Sequence, residues 1–166
     1  MFSTELGWFG LLGCDGVLHA ATFGHRQQKG VASELLQKVP GSSRAFQEQD
    51  WHPELRERLT RFAEGECVEF DDIEICHGRP LTPFQTKIVQ LTRRLGWGQT
   101  SSYGELAARA GRPGAARAVG TVMSSNLFPI VVPCHRVLAA RGKIGGYGAG
   151  DGVPLKQRLL DQETGM

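Results

Sequence analysis

The sequence predicts a mixed α/β chain, with a small mixed lobe over residues 1–80 and a helical lobe over residues 81–166. Three observations predict it. Asp15-Gly16 stands between two apolar runs, which is a hairpin signal. Apolar residues recur at helical spacing in stretches bounded by Pro and Gly. From Leu81 onward, short helical patterns separated by glycine-containing turns replace that mixture.

The elements follow in order. Residues 8–14 and 17–23 are expected as paired strands. Residues 32–38 predict a short helix and 41–50 a polar loop. Pro53 opens a helix carrying Leu55, Leu59 and Phe62, ended by Gly65. Residues 68–75 alternate apolar and acidic, which predicts a half-exposed strand. Thr82 or Pro83 starts a helix with Phe84, Ile88, Val89, Leu91 and Leu95 inward. Ser102 and Glu105 have the spacing of a capping box, so residues 103–110 predict a helix. Pro113 or Gly114 opens the next, to about Met123. These two helices and their turn have the shape of a helix-turn-helix. Residues 154–163 predict a last helix.

The chain has 166 residues, 40% of them hydrophobic, and a formal net charge of +2. No apolar run is long enough to cross a membrane, and no signal peptide is visible. Four scattered cysteines without a CxxC predict a reduced, intracellular setting, in cytoplasm, nucleoid or nucleus. Acids crowd residues 41–80. Residues 87–147 carry Lys87, Arg93, Arg94, Arg109, Arg112, Arg117, Arg136, Arg141 and Lys143 against Glu105 alone. A basic helical half suits either a polyanion partner or a solvated surface.

The apolar run Phe128-Pro129-Ile130-Val131-Val132 leads into Pro133-Cys134-His135-Arg136-Val137. The expectation is a strand-like segment ending in a stiff turn, with Cys134 in a positive field that favours its thiolate. The glycine-rich stretch 143–150 lacks P-loop spacing and predicts backbone close to a flat ligand, with Tyr147 as a wall.

Residues 82–163 resemble the O6-alkylguanine-DNA alkyltransferases, also called methylated-DNA–protein-cysteine methyltransferases. The matching residues are Thr82-Pro83-Phe84-Gln85, Thr100-Ser101-Ser102-Tyr103-Gly104-Glu105-Leu106-Ala107, Ala115-Ala116-Arg117-Ala118-Val119-Gly120, Asn126, Pro133-Cys134-His135-Arg136-Val137, Gly145-Gly146-Tyr147, and Lys156, Leu159, Leu160 and Glu163. The resemblance implies a ribonuclease-H-like first lobe and a winged-helix-like second lobe. It implies a single-turnover enzyme: Cys134 takes the alkyl group from O6-alkylguanine, with O4-alkylthymine a second candidate substrate, and is consumed. His135 would receive the thiol proton through a water, with Glu163 orienting it. Asn126 would fix the turn, and Tyr103 would donate toward guanine N3. Arg117, Ala116, Gly120, Ser102, Thr100 and Met123 would meet the minor groove of duplex DNA, with Arg117 filling the place of a flipped nucleotide. Pro133, Val137, Tyr147, Gly148 and Ala149 would line the base pocket. A monomer without a cofactor is expected.

Cys14, His19, Cys76 and His77 supply four candidate zinc ligands; Cys14 and His19 resemble positions where some relatives hold a structural zinc, whereas adjacent Cys76-His77 is unusual spacing. Asn126-Leu127 stands where the family commonly has Asn-Pro, Gly96-Trp97 replaces a Pro-aromatic pair, Ser124 a basic residue and Gly148 a serine. Two other readings remain: a non-enzymatic binder of alkylated DNA, which in the family lacks the cysteine, and a thiol hydrolase, for which a helix-turn-helix would be superfluous.

Overall fold

A computed structural model describes residues 1–39 and 47–165. Strands β1 (Phe2–Thr4), β2 (Gly7–Cys14) and β3 (Val17–His25) form an antiparallel sheet in that order. Asp15 and Gly16 both take positive φ, 51° and 80°, and Cys14 pairs with Val17 across them. That two-residue turn matches the strand twist, so the hairpin signal is met as expected. Helix α1 (Gln28–Lys38) packs on β2 so closely that a Cβ on Gly10 would lie 2.3 Å from Val31. It starts earlier than the sequence suggests. Of the expected loop, residues 41–46 lie outside the described residues, and 47–50 carry no regular structure.

Helix α2 (Pro53–Ala63) begins with Pro53 in its first turn, and the His52 ring accepts from the Leu55 amide. Leu55, Leu59 and Phe62 are buried. The expected strand over 68–75 does not form. Asp71 and Asp72 make a turn closed by the Ile73 amide donating to Phe70, and only Ile75 bridges β3, beside Leu18. The alternation is broken because basic side chains from two helices hold the turn. Arg58 of α2 pairs with the Asp72 carboxylate and donates to the Glu69 carbonyl. Arg93 donates to the carbonyls of Phe70, Asp71 and Ile73, each at 2.9 Å.

Helix α3 (Pro83–Arg93) is opened by a capping box between Thr82 and Gln85. Helix α4 (Tyr103–Arg109) is opened by one between Ser102 and Glu105. Helix α5 (Ala116–Ser124) starts after Pro113-Gly114 rather than at it, because Gly114 sits at φ 88°. Strand β4 (Ser101–Ser102) pairs in parallel with β5 (Val137–Leu138), which sets the start of α4 beside the cysteine segment. Helix α6 (Val153–Thr164) closes the chain.

Two cores result. Ile88, Leu91, Leu95, Leu106, Ala107, Val119, Val122 and Met123 join α3, α4 and α5 with Cys134 and Val137 at their edge. The larger core draws on both halves: Phe9, Phe23, Leu59 and Phe62 meet Phe128, Val131, Val132, Leu155 and Leu159. The cysteine segment therefore runs between the cores.

Arg93→Met removes the three carbonyl contacts that fasten α3 to the 70–73 turn. It should lower unfolding free energy by about 2 kcal/mol in urea titration.

Candidate active site

The segment before the cysteine is a tight loop rather than a strand. The Val132 amide donates to the Phe128 carbonyl at 2.8 Å, and Ile130 between them takes φ 74°. Positive φ in a β-branched residue costs about 1–3 kcal/mol, so packing must impose it. Ile130 and Val131 are each 3% exposed, and that burial supplies the constraint. Pro133 (φ −76°, ψ 65°) then makes an inverse γ-turn, closed by the Cys134 amide donating to Val132 at 2.7 Å. A 3₁₀ turn over Cys134–Arg136 follows. The stiff turn expected at Pro133 is present.

Asn126 locks this loop with one side chain. Its amide donates to the Val132 carbonyl at 2.9 Å and to Cys134 Sγ at 3.2 Å, while its oxygen accepts from the Phe128 amide at 3.0 Å. Leu127 adds a tie to the sheet, its carbonyl accepting from the Ala21 amide at 2.7 Å.

The expected thiolate-favouring field beside Cys134 is corrected by the structure. A 3₁₀ turn sends successive side chains about 120° apart, so adjacency in sequence does not aim His135 and Arg136 at the sulfur. Both His135 and Arg136 turn to Glu163. His135 Nε2 lies 2.9 Å from Oε1, and Arg136 reaches the carboxylate from Nε and Nη2 at 2.7–3.1 Å. Cys134 is 9% exposed, and burial pushes its thiol up, against the pull of the Asn126 amide and the Lys156 charge.

Glu163, on the last turn of α6, is buried. It also accepts from the Gly98 amide at 3.2 Å. Burial raises its carboxyl, but His135 and Arg136 outweigh burial and bring it to about 2. As an ionised acceptor it requires His135 Nε2 to donate. Burial holds the fully enclosed His135 below its usual value, so the ring is neutral with Nδ1 as its bare nitrogen. Nδ1 is buried with no partner among the described residues.

Tyr103, at the start of α4, is half-buried and close enough to Cys134 to be raised by it, after burial. Its ring edge and hydroxyl lie 3.4 Å from where a Cβ on Gly145 would stand, at φ 71°. The 143–150 loop thus faces Tyr103 at Gly145. Lys156 of α6 is fully buried and pins that loop. Its Nζ donates to the Val137 carbonyl at 2.6 Å and the Gly146 carbonyl at 3.4 Å. Pro133, Val137 and Ala149 are buried, Tyr147 is partly buried and Gly148 is exposed.

The α5 set divides. Arg117 and Thr100 are exposed, Ala116 and Gly120 are half-exposed, and nothing stands within 4 Å of a Cβ on Gly120. Ser102 spends its hydroxyl on the α4 cap, and Met123 is 7% exposed, in the core against Thr92. Of the zinc candidates, Cys14 Sγ and His19 Nε2 lie 3.8 Å apart, whereas His77 packs edge-on against Phe128. Among the described residues no three His, Cys, Asp or Glu side chains gather to hold a metal. The four do not fit one zinc site. Sequence reasoning missed Arg136 as the partner of Glu163 and the roles of Lys156 and Gly98. Partners that far apart in sequence leave no spacing signal.

A sequence profile described as 6-O-methylguanine DNA methyltransferase, DNA binding domain, matches residues 83–165. The chain belongs to the methylated-DNA–protein-cysteine methyltransferase family. It is 43% identical over 109 residues to the protein of that name from Salmonella typhimurium, covering 66% of this chain and 61% of that one. It is 44% identical over 107 residues to the Mycolicibacterium paratuberculosis protein, covering 64% and 62%. The fold is similar to that of Mycobacterium tuberculosis OGT in complex with DNA, with TM-score 0.80, 31% identity and coverage of 99% and 91%. It is also similar to the O6-methylguanine-DNA methyltransferase from Pyrococcus kodakaraensis, with TM-score 0.69, 28% identity and coverage of 94% and 90%.

Glu163 gives stability a pH signature. Its folded value, about 2, lies below its ordinary 4.5, so its contribution is complete above 4.5 and disappears as pH falls toward 2. The expected loss is on the order of 3 kcal/mol. Acid unfolding of Glu163→Gln should show less pH dependence across that window than the parent, in denaturant melts at each pH.

Proposed function

We propose that this chain repairs duplex DNA by moving an alkyl group from guanine O6 to Cys134, once per molecule. The observation that carries the reading is the pairing of two fixed atoms in this family. Cys134 Sγ is held by Asn126, and His135 offers a bare Nδ1 because Glu163 occupies its other nitrogen. The thiol proton passes through a water to Nδ1, and the imidazolium formed is paired with Glu163. Sulfur attacks the alkyl carbon as the carbon–O6 bond breaks. Tyr103 donates toward N3 of the departing guanine. A thioether is a poor leaving group, so Cys134 stays alkylated. The backbone around 147–149 holds O6, and the carbonyls of Cys134 and Val137 read the guanine amino group.

The target carbon lies inside the base stack, so the nucleotide must flip out, costing a few kcal/mol. Exposed Arg117 and open Gly120 on α5 suit close approach to the minor groove, with Arg117 in the vacated place. In this reading residues 81–166 are the DNA-binding and transfer domain, winged-helix-like, and residues 1–80 a ribonuclease-H-like lobe. The protein acts as a monomer without a cofactor, inside the cell.

Incubation with O6-methylguanine duplex followed by peptide mass spectrometry should show one stable methylene gain on Cys134 and no turnover. Tight lesion binding without mass gain would replace transfer by lesion binding. Continuous turnover would replace it by hydrolysis. Arg117→Ala should slow transfer to duplex substrate at least tenfold while leaving reaction with free O6-benzylguanine near the parent rate.

A further inference from the structure

Among the described residues, two buried side-chain polar atoms have no hydrogen-bond partner: His135 Nδ1 and the Tyr147 hydroxyl. A buried polar atom left unmatched costs about 1–3 kcal/mol, and such atoms are few in folded proteins. Two of them around the cysteine turn call for a common explanation. Tyr147 packs against the core cluster that contains Cys134. Its hydroxyl feels the charges of Cys134 and of Glu163, the carboxylate bonded to His135. Both observations place it in the neighbourhood of the cysteine turn. Its ring is partly exposed while its oxygen is enclosed, so the polar end points inward.

We propose that the Tyr147 hydroxyl is a positioning group for proton removal: with His135 Nδ1 it holds the water that carries the Cys134 proton. The stoichiometry of that water fits. It accepts from the thiol and from Tyr147 O–H, and it donates to Nδ1. When the thiol proton moves onto the water, the water's own proton moves to Nδ1, and Tyr147 keeps its proton. Burial, then the charges of Cys134 and Glu163, push the phenol well above its ordinary value, so it remains a donor throughout. Gly146, the residue before Tyr147, is pinned by Lys156 Nζ, which also holds the Val137 carbonyl. The loop is thereby tied to the cysteine segment at the point where Tyr147 leaves it. Arg136 and Lys156 are the neighbouring cations, and each is occupied by protein acceptors.

This inference rests on the proposed transfer, and one experiment separates the two. Tyr147→Phe keeps the ring that walls the pocket and removes only the hydroxyl. Single-turnover transfer from O6-methylguanine duplex is measured from pH 6 to 10 for the parent and Tyr147→Phe, with lesion-duplex affinity measured beside it. The expected result is a rate about tenfold lower at neutral pH with unchanged affinity. The difference should shrink as pH rises and thiolate forms without the relay. An unchanged rate and pH profile in an active parent overturns the inference alone. A rate loss constant across pH also overturns it, because a packing role would act on all protonation states alike. A parent that transfers nothing overturns both readings.

Discussion

The structure depends on one buried carboxylate. Glu163, on α6, sits where that helix meets the cysteine turn and the 95–98 segment, and donors from the latter two converge on it. An unpaired ion there would cost several kcal/mol. Arg136 matches it with a two-sided contact and spends its remaining arm on the Leu95 carbonyl at 2.5 Å. The charge is thus satisfied, and its satisfaction fixes three segments at once. The His135 ring is oriented by the same group, because an ionised acceptor leaves the imidazole one tautomer.

That arrangement changes how the thiol is understood. The adjacent His-Arg pair does not lend Cys134 its positive charge, because Glu163 takes both. The sulfur stays buried, and burial works against its ionisation. Under the proposed function its reactivity waits for a substrate in the pocket, when the relay to Nδ1 can operate. Asn126 matters for the same reason. It fixes the sulfur and the two carbonyl turns around it, so a strained Ile130 is tolerated within a loop that cannot relax.

Local rules read much of this chain. The Asp15-Gly16 hairpin, the Ser102 capping box, the Pro53 helix start and the Pro133 turn were all legible, because each is decided by a few neighbouring residues. The 68–75 segment was not, since its alternation is a true strand pattern overridden by Arg58 and Arg93 reaching from elsewhere. The cysteine's neighbours were legible as chemistry but not as geometry. The reacting types stand together in sequence, whereas their directions are set by Glu163, 28 residues from His135. Arg136 misled for that reason, and Lys156 gave no sign that it would be buried. Met123 looked like part of an approach surface and instead belongs to the α3–α5 core.

The state of the His135 ring tests the central claim most directly. Nitrogen-15 shifts of the imidazole, in protein labelled on histidine nitrogen, report which ring nitrogen carries the proton. At pH 7 the account predicts a neutral ring with the proton on Nε2 and a bare Nδ1. A proton on Nδ1, or on both nitrogens, would contradict it.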